Sequence, residues 1–469
     1  MDFEDPQQLL IANKLARKAY LDSVLTVSIS ATQAATTKDR PVTGPIWVSK
    51  FALPKVKENN SQDLVLNLVD EANDGNVPYQ RPEAEALRFE WVGHRANVAK
   101  DAPEPSMSEL DKFDRLDDET TSPLTVLYIF GGLGSSVHTE PLGNTYERLM
   151  VHDCRFNSPP GYRRLVGQLA QKTGAKVLMV HQRLAPQNPF PAALLDVFQA
   201  YLTLLAPPFK APHGPVPASS IVIAADSSGA ALALSLLQVI LRLNRRNTTA
   251  NFHGQEVQVE IPAGITLLSP WGDLSNSLPS HDRNPLNDIY QFPPVEDLPY
   301  LRKEFPTCAA WPANPPRVNL YCHHEMFIHP LVSPAAAEDW SGSCPMWIAS
   351  GEEQCIDAAA FLAQRVHSQG VSVTFYEYQG MPHTFPLIFR QAPQTRKCLD
   401  DWAKAIVSFG KQEKPRSSAF FVHAKGVRAE PRDITNLSPF TREEVLDTMR
   451  KKILMYKVPA WHCREQASL

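Results

Sequence analysis

The stretch Ile221-Val222-Ile223-Ala224-Ala225-Asp226-Ser227-Ser228-Gly229-Ala230 decides how this chain is read. Its first residues form an unbroken apolar, β-branched run, the pattern of a strand buried on both faces. The run passes without a loop into Gly229–Arg242, which reads as a helix. A strand that turns so abruptly leaves its corner residue in strained backbone. The flanking positions must be small, because strand and helix crowd there. A hydroxyl at the corner is lifted above the sheet edge, with the free N–H groups of the helix N-terminus behind it. Ser227 is therefore a candidate nucleophile. Such corners usually carry Gly two residues before the serine; here Ala225, the next smallest side chain, stands in that place.

Working outward, the same rhythm recurs. The runs Leu124–Phe130, Lys176–Val180, Ser220–Ala224, Ile261–Leu268, Met346–Ala349 and Val371–Tyr376 read as strands. Tyr162–Thr173, Ala192–Leu205, Gly229–Arg242 and Asp357–Gln369 read as the helices between them. This alternation predicts an α/β fold with a mainly parallel central sheet flanked by helices. An earlier strand is expected at Leu87–Val92 and a helix from Asp5-Pro6 to Leu25. Residues 52–62 and 98–122, polar and Pro-rich, read as loops. Residues 276–330 have no clean period and are too long for an ordinary connection, so they read as an insertion forming a cap. Near the end, Thr441–Glu444 forms a capping box before Val445, Met449 and Ile453, which predicts a docked helix. The expected division is an N-terminal segment 1–86 contributing to the cap, a core in two parts (87–275 and 331–410), the insertion 276–330, and an extension 411–469.

Composition limits the function. The 469 residues carry 46 Lys+Arg against 50 Asp+Glu, a net charge of −4, which provides no field for nucleic acid. A hydrophobic share of 43% with 20% charged residues excludes wholesale disorder. Prolines number 41 against only 21 glycines, so a glycine cluster carries information. The seven cysteines (Cys154, Cys308, Cys322, Cys344, Cys355, Cys398 and Cys463) are odd in number, widely spaced and without a C-x-x-C. They predict reduced thiols and an intracellular, cytoplasmic protein. The acidic N-terminus lacks the apolar stretch of a signal peptide, and the longest apolar run, about Ala230–Leu241, is too short to span a bilayer. The N-terminal helix leaves peripheral membrane contact open.

A serine nucleophile needs a base, and the base needs an orienting carboxylate. His383, in the loop Gly380-Met381-Pro382-His383 after a strand, is the candidate base. In the segment Gly351-Glu352-Glu353-Gln354-Cys355-Ile356-Asp357, three carboxylates compete for the acid. Asp357 opens a helix, where a carboxylate is a routine cap. Glu353, at the strand exit and 30 residues before His383, is the preferred acid. The loop Phe130-Gly131-Gly132-Leu133-Gly134 brings backbone close to a ligand, and no Gly-Lys-Ser/Thr follows it as a phosphate loop requires. His324 and His329, five residues apart, would diverge on a helix, so no metal is expected. No cofactor is expected either. Trp271 and Asp273 read as supports for the base of the cap.

Together these blocks resemble the hormone-sensitive-lipase branch of the α/β-hydrolases, most closely fungal esterases and steryl-acetyl-hydrolase-like proteins of secondary metabolism. The likeness spans about residues 120–390. It also rests on Arg183-Leu184-Ala185-Pro186-Gln187-Asn188-Pro189-Phe190-Pro191, Ser269-Pro270-Trp271-Gly272-Asp273 and Pro330-Leu331-Val332-Ser333-Pro334. It implies a Ser227–Glu353–His383 triad and an oxyanion hole from the N–H groups of Gly131, Gly132 and Ser228. It implies a serine esterase or deacetylase acting on a hydrophobic small-molecule ester, sterol-like or a secondary metabolite, with no cofactor. Three departures stand out: Phe130 where the family has His, Ala225 for Gly, and Glu353 where Asp is usual. A further insertion, 139–160, is expected near the site mouth. A binding protein on a weakened hydrolase scaffold and an acyl-transfer or cyclisation enzyme using the same triad are the alternatives.

Overall fold

The computed structural model describes residues 2–24, 28–55, 59–132, 158–289 and 298–464. Its main sheet opens with β1 (Ile46–Leu53) and β2 (Leu87–His94), an antiparallel pair. β2 then runs antiparallel to β4 (Lys176–Val180). From β4 the sheet is parallel: β4 pairs with β3 (Thr125–Ile129), and β3 with β5 (Ile221–Asp226). β8 (Gly264–Leu268), β9 (Met346–Gly351), β10 (Val373–Tyr378) and β11 (Ser418–Val422) follow in turn. β12 (Ala429–Arg432) closes the far edge antiparallel to β11. A separate hairpin joins β6 (Thr249–Phe252) to β7 (Gln255–Gln258).

The helices are α1 (Pro6–Val24), α2 (Ile29–Thr36), α3 (Ser61–Glu71), α4 (Glu109–Asp118) and α5 (Pro159–Thr173). They continue with α6 (Ala192–Leu205), α7 (Ser227–Arg245), α8 (Ile356–Ser368), α9 (Pro393–Gly410) and α10 (Arg442–Ile453). Side chains alternate across a strand, and β5 divides its residues accordingly. Ile221, Ile223 and Ala225 pack with α6, α7 and α8. Val222 and Ala224 pack with α5 and α9 on the opposite face. Both faces are dry, which is why the parallel strands are apolar throughout. The carboxyl ends of β3, β5, β8, β9 and β10 lie along one edge of this three-layer stack, where open α/β sheets place their sites.

The strands and helices expected between 124 and 376 are present with ends shifted by a few residues. The sheet, however, starts before residue 87, because β1 lies in the N-terminal segment, and it continues past 410 into β11 and β12. The expected loop 98–122 contains α4. Its charged surface hides two apolar anchors, Phe113 and Leu116, and Phe113 meets Trp91 of β2 edge-on at 5.4 Å. A Ser108–Asp111 capping box starts that helix. The expected loop 52–62 likewise holds the end of β1 and the start of α3. The capping box of Thr441 and Glu444 is formed, with Val445, Met449 and Ile453 buried beneath α10. Residues 139–157 of the second insertion, Leu133 and Gly134 of the glycine loop, and Cys154 lie outside the described residues.

Candidate active site

Ser227 sits at the corner between β5 and α7 with φ of 54°, in the left-handed region that costs a non-glycine residue strain. The turn is that tight because Gly229 lies directly on the backbone of Ile129 and Phe130, where a Cβ has no room. Ala225 is accommodated inside the β5 ladder, opposite Ile129 and Leu267. Gly131 is required by close approach: a Cβ there would lie 2.8 Å from Ser227 Cβ and 3.0 Å from Asp226 Oδ2.

His383 follows β10 in a loop that turns through Gly380 (φ 66°) and Thr384 (φ 49°). Its Nε2 lies 2.7 Å from Ser227 Oγ, and its Nδ1 meets Glu353 Oε2. Glu353, after β9, is fully buried. Its other oxygen accepts from the Ser350 hydroxyl at 2.6 Å and the Gly351 N–H at 3.1 Å. Of the three competing carboxylates, Glu353 is the one that reaches the imidazole. Glu352 accepts from the Gly380 N–H, while Asp357 accepts from the Ser280 N–H and pairs with Arg283. Burial opposes the Glu353 charge, but the imidazole and the Ser269 and Ser350 hydroxyls outweigh it and hold its carboxyl below the usual range. Burial likewise opposes a charged His383; the Glu353 carboxylate, followed by Asp288 and Asp226, holds its pKa above the ordinary imidazole value.

The rear of the corner is built by residues that sequence reasoning passed over. Asp226 is fully buried and accepts from Tyr128 Oη at 2.8 Å and Tyr162 Oη at 3.0 Å. Burial pushes its carboxyl up to about 6 despite these donors and a hydrogen bond from the Gly131 N–H. Gly131, expected among the oxyanion donors, lies against Asp226 and Ser227. Gly132 directs its N–H to Ser228 Oγ at 2.8 Å. Phe130, in place of the family histidine, is a core residue against Tyr162 (5.4 Å between rings). Gln182 Nε2 holds the Phe130 carbonyl at 3.0 Å. Ser269 also enters the site: its hydroxyl accepts from the Thr384 N–H at 3.0 Å. Asp226 stands in the deciding stretch and Ser269 opens the block Ser269-Pro270-Trp271-Gly272-Asp273, but neither carried a role in the sequence reading.

Among the described residues, Glu353, Cys355 and His383 bring three metal-binding atoms within 4.8 Å of one another. Two of these groups already bond each other, and burial raises the Cys355 thiol well above its ordinary pKa, which opposes the thiolate a metal needs. Trp271 and Asp273 support the start of the insertion. Trp271 Nε1 donates to Asn276, and Asp273 accepts from Ser275 and Ser277.

A family model described as the alpha/beta hydrolase fold matches residues 154–387. An acetyl-hydrolase of Streptomyces hygroscopicus is 30% identical over 259 residues, which are 55% of this chain and 73% of that protein. The chain belongs to the α/β-hydrolase family. An esterase of Acinetobacter venetianus is 27% identical over 248 residues, 53% of this hydrolase and 69% of the relative. In fold, the hydrolase is similar to a hormone-sensitive lipase from a metagenome library, with a TM-score of 0.53 at 21% identity over 86% of this chain and 98% of that one. The hydrolase is a carboxylic ester hydrolase. Its one helix long and apolar enough to cross a membrane among the described residues, Ser227–Arg245, is mostly buried in the core.

Proposed function

We propose that the hydrolase cleaves esters of hydrophobic small molecules through an acyl-enzyme on Ser227. The observation that carries this reading is the continuous line from Ser227 Oγ through His383 to buried Glu353. Ser227 attacks the ester carbonyl as His383 Nε2 takes its proton. The tetrahedral intermediate collapses, and the leaving alcohol takes that proton. Water then attacks the acyl group, with His383 again the base, and Ser227 is released. Glu353 orients the imidazole and stabilises its cation. The oxyanion is received by the N–H groups of Gly132 and Ser228, the Ser228 hydroxyl giving up the Gly132 donor to it. Gly131 holds the corner in place.

A small acyl group is favoured by the naming of one relative as an acetyl-hydrolase. The alcohol part is read as bulky and apolar, sterol-like or a secondary metabolite, on the proposal that the N-terminal helix and the described part of the 276–330 segment cap the loops of the site. In support, Asn13 of α1 donates to the carbonyls of Asn287 and Gly380, and Arg17 to that of Pro285. The described cysteine thiols are free, which supports a reducing compartment.

The test is p-nitrophenol release from acetyl, butyryl and octanoyl esters. Wild type turns over, preferring acetyl, and Ser227→Ala loses on the order of 10⁴-fold or more in kcat. Equal activity in the variant, or no fluorophosphonate labelling of Ser227 in wild type, would reject the reading. Hydrolysis requires neutral His383, so kcat/KM falls as pH drops through its raised pKa.

A further inference from the structure

A second buried carboxylate stands against the Ser227–His383–Glu353 line. Asp288 lies in the 276–330 segment, which sequence reasoning assigned to the cap. It is fully buried. Its Oδ2 accepts from the Gln354 N–H at 3.0 Å, immediately after the acid. Its Oδ1 accepts from the His383 N–H at 3.3 Å and from its own neighbour Ile289 at 2.7 Å. One side chain therefore joins the loop after β9 to the loop after β10.

The rest of the segment reinforces this junction. Asn284 Nδ2 donates to the Glu353 carbonyl at 3.0 Å, Ser280 Oγ to the Gln354 carbonyl at 2.6 Å, and Gln354 Nε2 to the His281 carbonyl at 2.7 Å. We propose that Asp288 is a positioning residue of the active site: it locks the acid loop to the histidine loop and keeps a second negative charge against His383. This inference rests on the triad reading above.

Backbone N–H donors suit an ionised carboxylate, which only accepts. Among the described residues, the charged groups that act on His383 are Glu353 from β9, Asp226 from β5 and Asp288 itself. Glu352 holds the neighbouring Gly380 N–H, and the Cys355 thiol is buried among Glu353, Asp288 and Asp273. Arg17 of α1 is directed to the Pro285 carbonyl of the same segment. Negative charge thus prevails around the imidazole, and each carboxylate favours its cation. Burial and the Glu353 charge push Asp288 up to about 6, so at neutral pH it is mostly ionised.

The experiment is the pH profile of kcat/KM on p-nitrophenyl acetate, from pH 5 to 9, for wild type, Asp288→Asn, Asp288→Glu and Ser227→Ala. Asp288→Asn removes the charge and at least one acceptor. Its acid limb moves to lower pH by about half to one unit, the loss of one neighbouring charge. Its kcat falls about tenfold, while KM changes less than twofold. Asp288→Glu keeps the charge, and its limb stays at the wild-type position even where kcat is low. A limb unmoved in Asp288→Asn, or displaced equally in both variants, overturns the proposal. If Asp288→Asn does not fold, Asp288→Glu decides: a wild-type limb with reduced kcat supports the proposal, and a displaced limb or unchanged kcat overturns it. Ser227→Ala as active as wild type would remove the triad reading and this one with it.

Discussion

Ser227 reacts only if its hydroxyl is placed to a fraction of an ångström, and Gly131 is the glycine that lies directly against its Cβ. Its φ is not in the left-handed region, so alanine is excluded by space alone. A methyl there would meet Ser227 Cβ and the Asp226 carboxylate, the latter held from behind by Tyr128 and Tyr162. Gly131→Ala is expected to keep the fold and lose about 100-fold in kcat, the usual result of displacing a reacting atom by about 1 Å. Steady-state kinetics beside a thermal melt would check this; unchanged kcat would mean that the corner is softer than its packing implies. The residues of this site were legible in proportion to how local their signals are. Ser227, Glu353 and His383 each follow a strand, so sequence alone placed them at one sheet edge. Asp288 meets them only through folding, and nothing in its aperiodic, Pro-rich segment marks one aspartate among several.

At the scale of elements, legibility followed how much of a segment's burial its own pattern carried. α6 was predicted at its observed bounds, because nearly every residue in Ala192–Leu205 is buried. α4 was missed because only Lys112, Phe113 and Leu116 turn inward from a surface of acids and bases. β12 is mostly exposed, and its strand character comes from pairing with β11. α10 lies between these cases: its apolar face is narrow, but its start is written as Thr441-x-x-Glu444. The Thr441 hydroxyl accepts from the Glu444 N–H at 3.3 Å, and the Glu444 carboxylate accepts from the Thr441 N–H at 2.8 Å. Thr441→Ala leaves those end groups to water and is expected to cost about 1 kcal/mol in chemical denaturation. Esterase activity should be unchanged, because α10 packs on Leu278, Ala335 and Phe361 rather than on the triad. A loss of activity without a loss of stability would show that this helix influences the site.

For the whole molecule, the question is what fixes the N-terminal segment to the sheet. β1 is held by its ladder to β2, and the loop before it is held through a buried arginine that also pairs with β2. Arg163 of α5 donates to both oxygens of Glu90 on β2, at 2.8 and 2.6 Å, and reaches Asp39 at 2.9 Å and the Arg40 carbonyl at 3.1 Å. Arg163 and Glu90 are 7% and 1% exposed, so neither has water to fall back on. Burial opposes the Glu90 charge, yet His181 and Arg163 hold its carboxyl below the usual range. The sign follows: the pair stabilises the fold above the ordinary glutamate pKa, and that contribution is lost as pH falls through the lowered value. Arg163→Leu reverses this, because Glu90, buried without the guanidinium, resists ionisation and has its pKa raised. The variant is expected to be less stable than wild type by about 3–5 kcal/mol at pH 7. The deficit should shrink towards pH 5, where Glu90 takes up a proton in the variant. Denaturant unfolding of both proteins at the two pH values decides the matter. A deficit that is constant or grows on acidification would mean that Arg163 acts through packing, and that its charge does not stabilise the fold through Glu90.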